Sequence, residues 1–192
     1  MNRNLSLQRM TAAALLIAVG IVIPMISPVK ILVEPMSFTL ASHVAIFIAL
    51  FISPTAAVAV AAGTTLGFFI AGFPLVIVLR AGSHLVFATV GALYLKARPK
   101  TLGSIGRSQA FSFAVALIHA AAEVLVVFLF YFNSTDQATA QNFLTARYLL
   151  GLVGLGTVLH SMVDFVIAFI VYQALIRQRN LRRLFLTPPE KA

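Results

Sequence analysis

Cysteine and tryptophan are absent from the 192 residues, and only five residues are acidic. Without thiols the chain has no disulfides, no thiolate metal sites and no cysteine nucleophile. Charged residues of both signs make up 10% of the chain, where a soluble domain carries about 25%. So few charges cannot clothe a water-facing surface, whereas a lipid-facing surface needs none. No G-x-x-x-x-G-K-[ST] phosphate loop occurs, and no H-E-x-x-H zinc-protease pair. What remains is apolar: 60% of the residues are hydrophobic, and the mean hydropathy is +1.00. The bilayer is the solvent this composition suits. At roughly 20 residues per helical span plus loops, the chain has room for about six spans in one membrane domain covering residues 1–192.

Six apolar segments follow from the punctuation by proline and glycine. They run from about Leu7 to Ile26, from Thr39 to Ile52, and from Thr55 to the Ala71-Gly72-Phe73-Pro74 break. The others run from Leu75 to Leu95, Gln109 to Phe132 and Ala146 to Ile176, with a polar loop at Asn133–Gln141. The expected fold is therefore an all-α bundle of six transmembrane helices. The N-terminal run has no clean small-x-small cleavage site before Pro24 and reads as a retained first helix.

The net charge of +9 does not point to nucleic acid, because the basic residues cluster at segment ends rather than on a face. With the N-terminus in the cytoplasm, all 14 except Lys30, Arg80 and Arg147 fall on the cytoplasmic side. Basic residues near both ends agree with both termini lying there. The first outside loop, Pro28 to Phe38 (PVKILVEPMSF), is long, partly apolar and carries Lys30 and Glu34. It suits either an ordered lid over the membrane face or a plain interfacial connector.

Ionisable groups within spans are costly and face a cavity or a partner. Here they are His43, Arg80, His84, His119, Glu123, His160 and Asp164. Arg80 lies roughly 9 Å below the outer end of the fourth segment, with His84 on the same face four residues on. Glu123 reaches a similar depth on the fifth. One reading is an outward-open pocket, in which Arg80 grips planar oxygens of an anionic or carbonyl ligand and Glu123 pairs with it or accepts from the ligand. Tyr131, Asn133 and Tyr148 are placed to line the mouth. The other reading is an internal Arg80–Glu123 ion pair. The pocket is favoured because buried pairs stabilise poorly and need another reason to exist. His160 and Asp164, four apart, suit a metal ligand pair, a proton relay or a hydrogen-bonded structural pair. Two ligands without a third favour the structural pair and no metal. His43 and His119 stand alone on apolar helices, where packing is the default.

Small residues mark close helix approach, including Ala14-Leu-Leu-Ile-Ala18 in the first helix. With this element, the length, the six segments, the long first outside loop and the basic C-terminal end, the whole chain resembles the S components. These are the substrate-binding membrane subunits of energy-coupling factor (ECF) vitamin transporters. The stretches SFTLASHVAIFIALFISP (Ser37 to Pro54) and GTTLGFFIAGFPLVIVLRAGSH (Gly63 to His84) are similar to members assigned to small B vitamins and their precursors. The resemblance implies a bacterial cytoplasmic-membrane location and a ligand bound near the outer face beneath the first loop. It also implies docking of Ala14 and Ala18 on a transmembrane coupling subunit, and toppling of the whole subunit in the bilayer on docking. No cofactor is then expected in this chain, since two partner ATPase subunits would use the ATP. The expected ligand is a small water-soluble vitamin or precursor of the niacin, pantothenate, hydroxymethylpyrimidine or pyridoxine type. Arg80 suits a carboxylate, which favours nicotinate or pantothenate, whereas Glu123 and the histidines suit a nitrogen heterocycle with hydroxymethyl groups, such as hydroxymethylpyrimidine or pyridoxine. The rival classes are a stand-alone proton-coupled carrier using His160 and Asp164, and an intramembrane metalloenzyme. The carrier lacks visible inverted repeats and the metalloenzyme lacks its motif.

Overall fold

The computed structural model describes residues 3–33 and 36–185. Its first helix, α1 (Arg3–Ile26), is followed by an antiparallel hairpin of β1 (Lys30–Val33) and β2 (Met36–Thr39). The register pairs Lys30 with Thr39 and Val33 with Met36. Next come α2 (Val44–Ile52), α3 (Pro54–Ile70), α4 (Leu75–Ala97) and α5 (Ile105–Phe132). A short α6 (Gln137–Phe143) precedes a π-helical stretch, Arg147–Leu155, which runs directly into α7 (Gly156–Arg177), and α8 (Arg179–Arg182) is the last element among the described residues.

The breaks lie where backbone chemistry requires them. Ser53 caps α3, its hydroxyl accepting from the Ala56 N–H at 3.1 Å, and Pro54 takes the first helical position, where no N–H is needed. Gly72 turns the chain between α3 and α4 with φ +75, a left-handed value open to glycine at little cost. Asp136 caps α6 by accepting from the backbone N–H and hydroxyl of Thr139, which holds its carboxyl below the ordinary aspartate range.

Among the described residues, four helical stretches are long and apolar enough to cross a bilayer: Asn4–Ile26, Leu75–Ala97, Ile105–Phe132 and Arg147–Arg177. The two segments with the closest junction are the short ones. α3 has 17 residues, and α2 only nine, a rise of about 14 Å or half a hydrocarbon core. Every residue of α2 is buried, as an all-round apolar helix must be, and it forms the centre of the bundle. The all-α expectation thus holds apart from the hairpin, while the second segment is a half-length core helix rather than a full span.

Phe47 and Phe51 of α2 pack edge-on against Phe165 of α7, and Phe51 also meets Tyr172. Glycines bring α1 onto α3: a Cβ on Gly63 or Gly67 would lie 2.6 or 2.2 Å from Ile17 or Ile21. The opposite side of α1 faces outward, with Ala14 and Ala18 both exposed. α1 is tied to the segment that follows α8, because the Arg9 side chain donates to the Leu184 carbonyl at 2.9 Å.

Candidate functional site

The hairpin lies across one end of the bundle. Met36 is buried against Val76, Val127, Tyr131, Leu149 and Val153, and the Phe38 ring fills the space that a side chain on Gly156 would need. From β2 the chain drops inward to α2 through Ala41, whose φ of +67 is left-handed without being glycine. Asp164 of α7 holds this entry. Its carboxylate accepts from the backbone N–H of Ala41 at 2.8 Å and of His43 at 2.9 Å, and it meets His43 Nδ1 at 3.0 Å. A buried carboxylate therefore caps the positive end of a buried half-length helix.

Beside this entry, Arg80 Nη2 of α4 donates to Glu123 Oε2 of α5 at 3.0 Å, and Thr157 Oγ1 donates to the same oxygen at 2.6 Å. His84 Nε2 and His119 Nε2 both lie 3.4 Å from the other carboxylate oxygen. His43 Nε2 lies 3.3 Å from His84 Nε2. All of these side chains are buried. Removing one member of such a pair strands a charge, at a cost of about 3–5 kcal/mol.

The ion pair is not sealed in dry packing. Arg80, His84 and Glu123 form one wall of a cleft that also takes in His43, and its polar rim comes from Ser37, Thr39 and Ser42. Phe68 and Phe73, stacked at 4.7 Å, supply an aromatic wall. The empty space is ≈ 550 Å³ with the open mouth included, but water centres reach only ≈ 50 Å³ of it, so the cleft is a narrow slot.

Of the residues singled out in the sequence, Arg80, His84 and Glu123 converge at this slot. Tyr131, Asn133 and Tyr148 stand elsewhere. Tyr131 is buried beneath Met36, and Asn133 is exposed and donates to the Leu129 carbonyl. Tyr148 packs edge-on against Phe143. Glu34 lies outside the described residues. His43 and His119, read as packing histidines, stand instead at the centre of the cluster, with ring centroids 4.8 Å apart. The hydroxyls of Thr157, Ser161 and Ser42 join the cluster without any sequence signal. The signal available for the rest was three pairs at i, i+4 spacing: Arg80 and His84, His119 and Glu123, His160 and Asp164.

No family model and no solved structure matches the chain. Over 169 residues, 86% of this chain and 73% of the relative, it is 42% identical to the niacin transporter NiaX of Lactococcus lactis subsp. cremoris.

Proposed function

Because this chain belongs to the NiaX family, vitamin transporters of the ECF S-component type, we propose that it captures niacin at the outer face of the membrane. It is a multi-pass protein of a bacterial membrane and a transporter, not an enzyme. The observation that carries the ligand assignment is Arg80, buried in the wall of a narrow slot that has an aromatic pair on one side. A guanidinium presents a planar fork of donors that matches a carboxylate, and here its Nη2 also holds Glu123 at 3.0 Å. A pyridine carboxylate fits these parts, with its flat ring beside Phe68 and Phe73 and its carboxylate on Arg80. Glu123 holds the guanidinium in place and is itself held by Thr157 and His84. The Ser37 and Ser42 hydroxyls offer partners for the ring nitrogen.

In this reading six helices, α1 to α5 and the continuous π-to-α7 helix, stand in the membrane with both termini in the cytoplasm. The hairpin is the outer lid. Ala14 and Ala18 form a small-residue face on α1 for the transmembrane coupling subunit, whose two ATPase subunits drive delivery. This support comes from the exposure of that face and the family membership.

Two measurements test the proposal. Radiolabelled nicotinate should bind the purified protein alone, and Arg80→Ala should weaken binding by at least about 100-fold, the loss expected when a buried charge partner is removed. Vesicles holding this protein alone should show no ATP-driven uptake, whereas co-reconstitution with an ECF module should. Nicotinate binding that is unchanged in Arg80→Ala removes the guanidinium from the site. Uptake by the protein alone that collapses with an uncoupler would make it a proton-coupled carrier.

A further inference from the structure

We infer that His43, His84, His119 and Glu123 form a binding site for a divalent transition metal of the zinc type, at the junction of α2, α4 and α5. The inference goes beyond vitamin capture and departs from the expectation, drawn from spacing alone, that no metal is involved. The argument rests on the distances between donor atoms. Zinc–nitrogen bonds of about 2.0–2.1 Å set donor-to-donor edges of about 3.3–3.4 Å in a tetrahedron. Here His43 Nε2 and His84 Nε2 are 3.3 Å apart, and Glu123 Oε1 is 3.4 Å from both His84 Nε2 and His119 Nε2. One donor atom from each of the three histidines lies within 4.8 Å of the others, so the three imidazoles form the core of the site, and Glu123 joins it from the side of His84 and His119.

The lone pairs are arranged for such a site. His43 Nδ1 faces the Asp164 carboxylate at 3.0 Å, which places its proton there and turns the Nε2 lone pair to the centre. His119 Nδ1 meets Ser161 Oγ at 3.3 Å, which leaves Nε2 facing the same point. Glu123 spends Oε2 on Arg80 and Thr157 and presents Oε1. His119 is fully buried, and its Nε2 has only a long 3.4 Å approach to Glu123 Oε1, outside good hydrogen-bond geometry. A poorly satisfied buried polar atom is costly, and a cation at the centre would satisfy it.

The second histidine cluster differs on this point. His43, His160 and Asp164 also lie within metal-ligand range. There, however, the Asp164 carboxylate is already occupied by two backbone N–H groups, and the Ser42 hydroxyl bridges to His160 at 3.1 Å. Hydrogen bonds complete that cluster, and nothing in it calls for an ion.

Charge supports the same assignment. With neutral imidazoles, Arg80, Glu123 and Asp164 together carry one net negative charge in a buried cluster, and uncompensated buried charge is expensive. A divalent cation converts this to one positive charge, which the carboxylate of a monoanionic ligand in the adjoining slot would neutralise. That last consequence rests on the niacin reading; the site itself does not. Three imidazoles and a carboxylate, with no thiolate, suit zinc, cobalt, nickel or copper rather than calcium or magnesium.

The test uses the full-length protein purified without a polyhistidine tag and read without vitamin. Elemental analysis should find about one zinc per chain. Cobalt(II) added to chelator-treated protein should give the intense visible bands of tetrahedral coordination. His119→Leu and His43→Leu should each lower metal content by at least about tenfold, as loss of a ligand requires, while His160→Asn leaves it unchanged. Elution as a single species shows which variants are folded, and the wild-type cobalt spectrum stands whether or not a variant folds. Wild-type protein that neither carries zinc nor develops cobalt bands overturns the inference, as does metal retained in folded His119→Leu. Nicotinate binding with no metal would overturn this site alone. Metal binding without nicotinate binding would overturn only the vitamin reading.

Discussion

Removing the Asp164 carboxylate perturbs the point where the outer hairpin passes into the buried core. In Asp164→Ala the backbone N–H groups of Ala41 and His43 lose acceptors at 2.8 and 2.9 Å, and His43 Nδ1 loses its 3.0 Å partner. Each orphaned buried N–H costs about 1–3 kcal/mol, and the lost cap leaves the positive end of α2 without its counter-charge. Together these give a destabilisation of about 3–5 kcal/mol. For a chain of this length each kcal/mol lowers the unfolding midpoint by about 2–4 °C, so Tm should fall by about 6–20 °C. Asp164→Asn keeps one acceptor oxygen and should lie between Asp164→Ala and the wild type. The assay is thermal unfolding in detergent followed by far-UV circular dichroism, since the chain has no tryptophan to report. An Asp164→Ala midpoint within about 2 °C of wild type would show that the two N–H groups find other acceptors, and the capping argument would fail.

Four further outcomes are expected. Ala41→Gly should raise stability by about 0.5–1 kcal/mol, because φ +67 is unfavourable for alanine and easy for glycine; a lower melting midpoint would contradict it. Gly156→Ala places a Cβ 2.6 Å from the Phe38 ring and should displace β2, costing about 1–3 kcal/mol and speeding protease cleavage in the hairpin. Gly67→Ala should separate α1 from α3 at a similar cost, read as a lower midpoint in the same melting assay. The Asp136 cap has a lowered carboxyl pKa in the folded state, so it stabilises α6 above the ordinary aspartate range. That contribution should fade as pH falls through the lowered value, visible as faster amide exchange in residues 137–143 relative to Asp136→Asn, whose α6 should show no such step.

Much of the architecture was legible in the sequence because proline, glycine and serine mark helix ends through local chemistry. Ser53-Pro54 and Gly72 stand at such ends. The length of α2 was not legible, since an apolar run reads alike whether its first residues are helical or a turn such as Leu40–His43. The hairpin was hidden for a related reason. Its pairing is set by contacts of Met36 and Phe38 with α4, α5 and α7, which no local pattern encodes. At the site, Arg80, His84 and Glu123 were legible from depth and helical spacing. His43 was not, because its neighbours come from α4, α5 and α7, and lone histidines on apolar helices carry no mark of convergence.

The brevity of α2 also bears on how the protein is made. Nine residues are too few for a membrane insertion machinery to release as an independent span, and in the folded protein every face of this helix is covered by its neighbours. It must enter together with its neighbour α3 and wait for α4 and α7 to complete its surroundings. Synthesis therefore runs nearly to its end before the cluster of buried charges has its final surroundings. A nascent chain stopped before residue 164 would leave the N-terminal end of α2 uncapped, and quality-control proteases should remove such fragments rather than let them persist in the membrane.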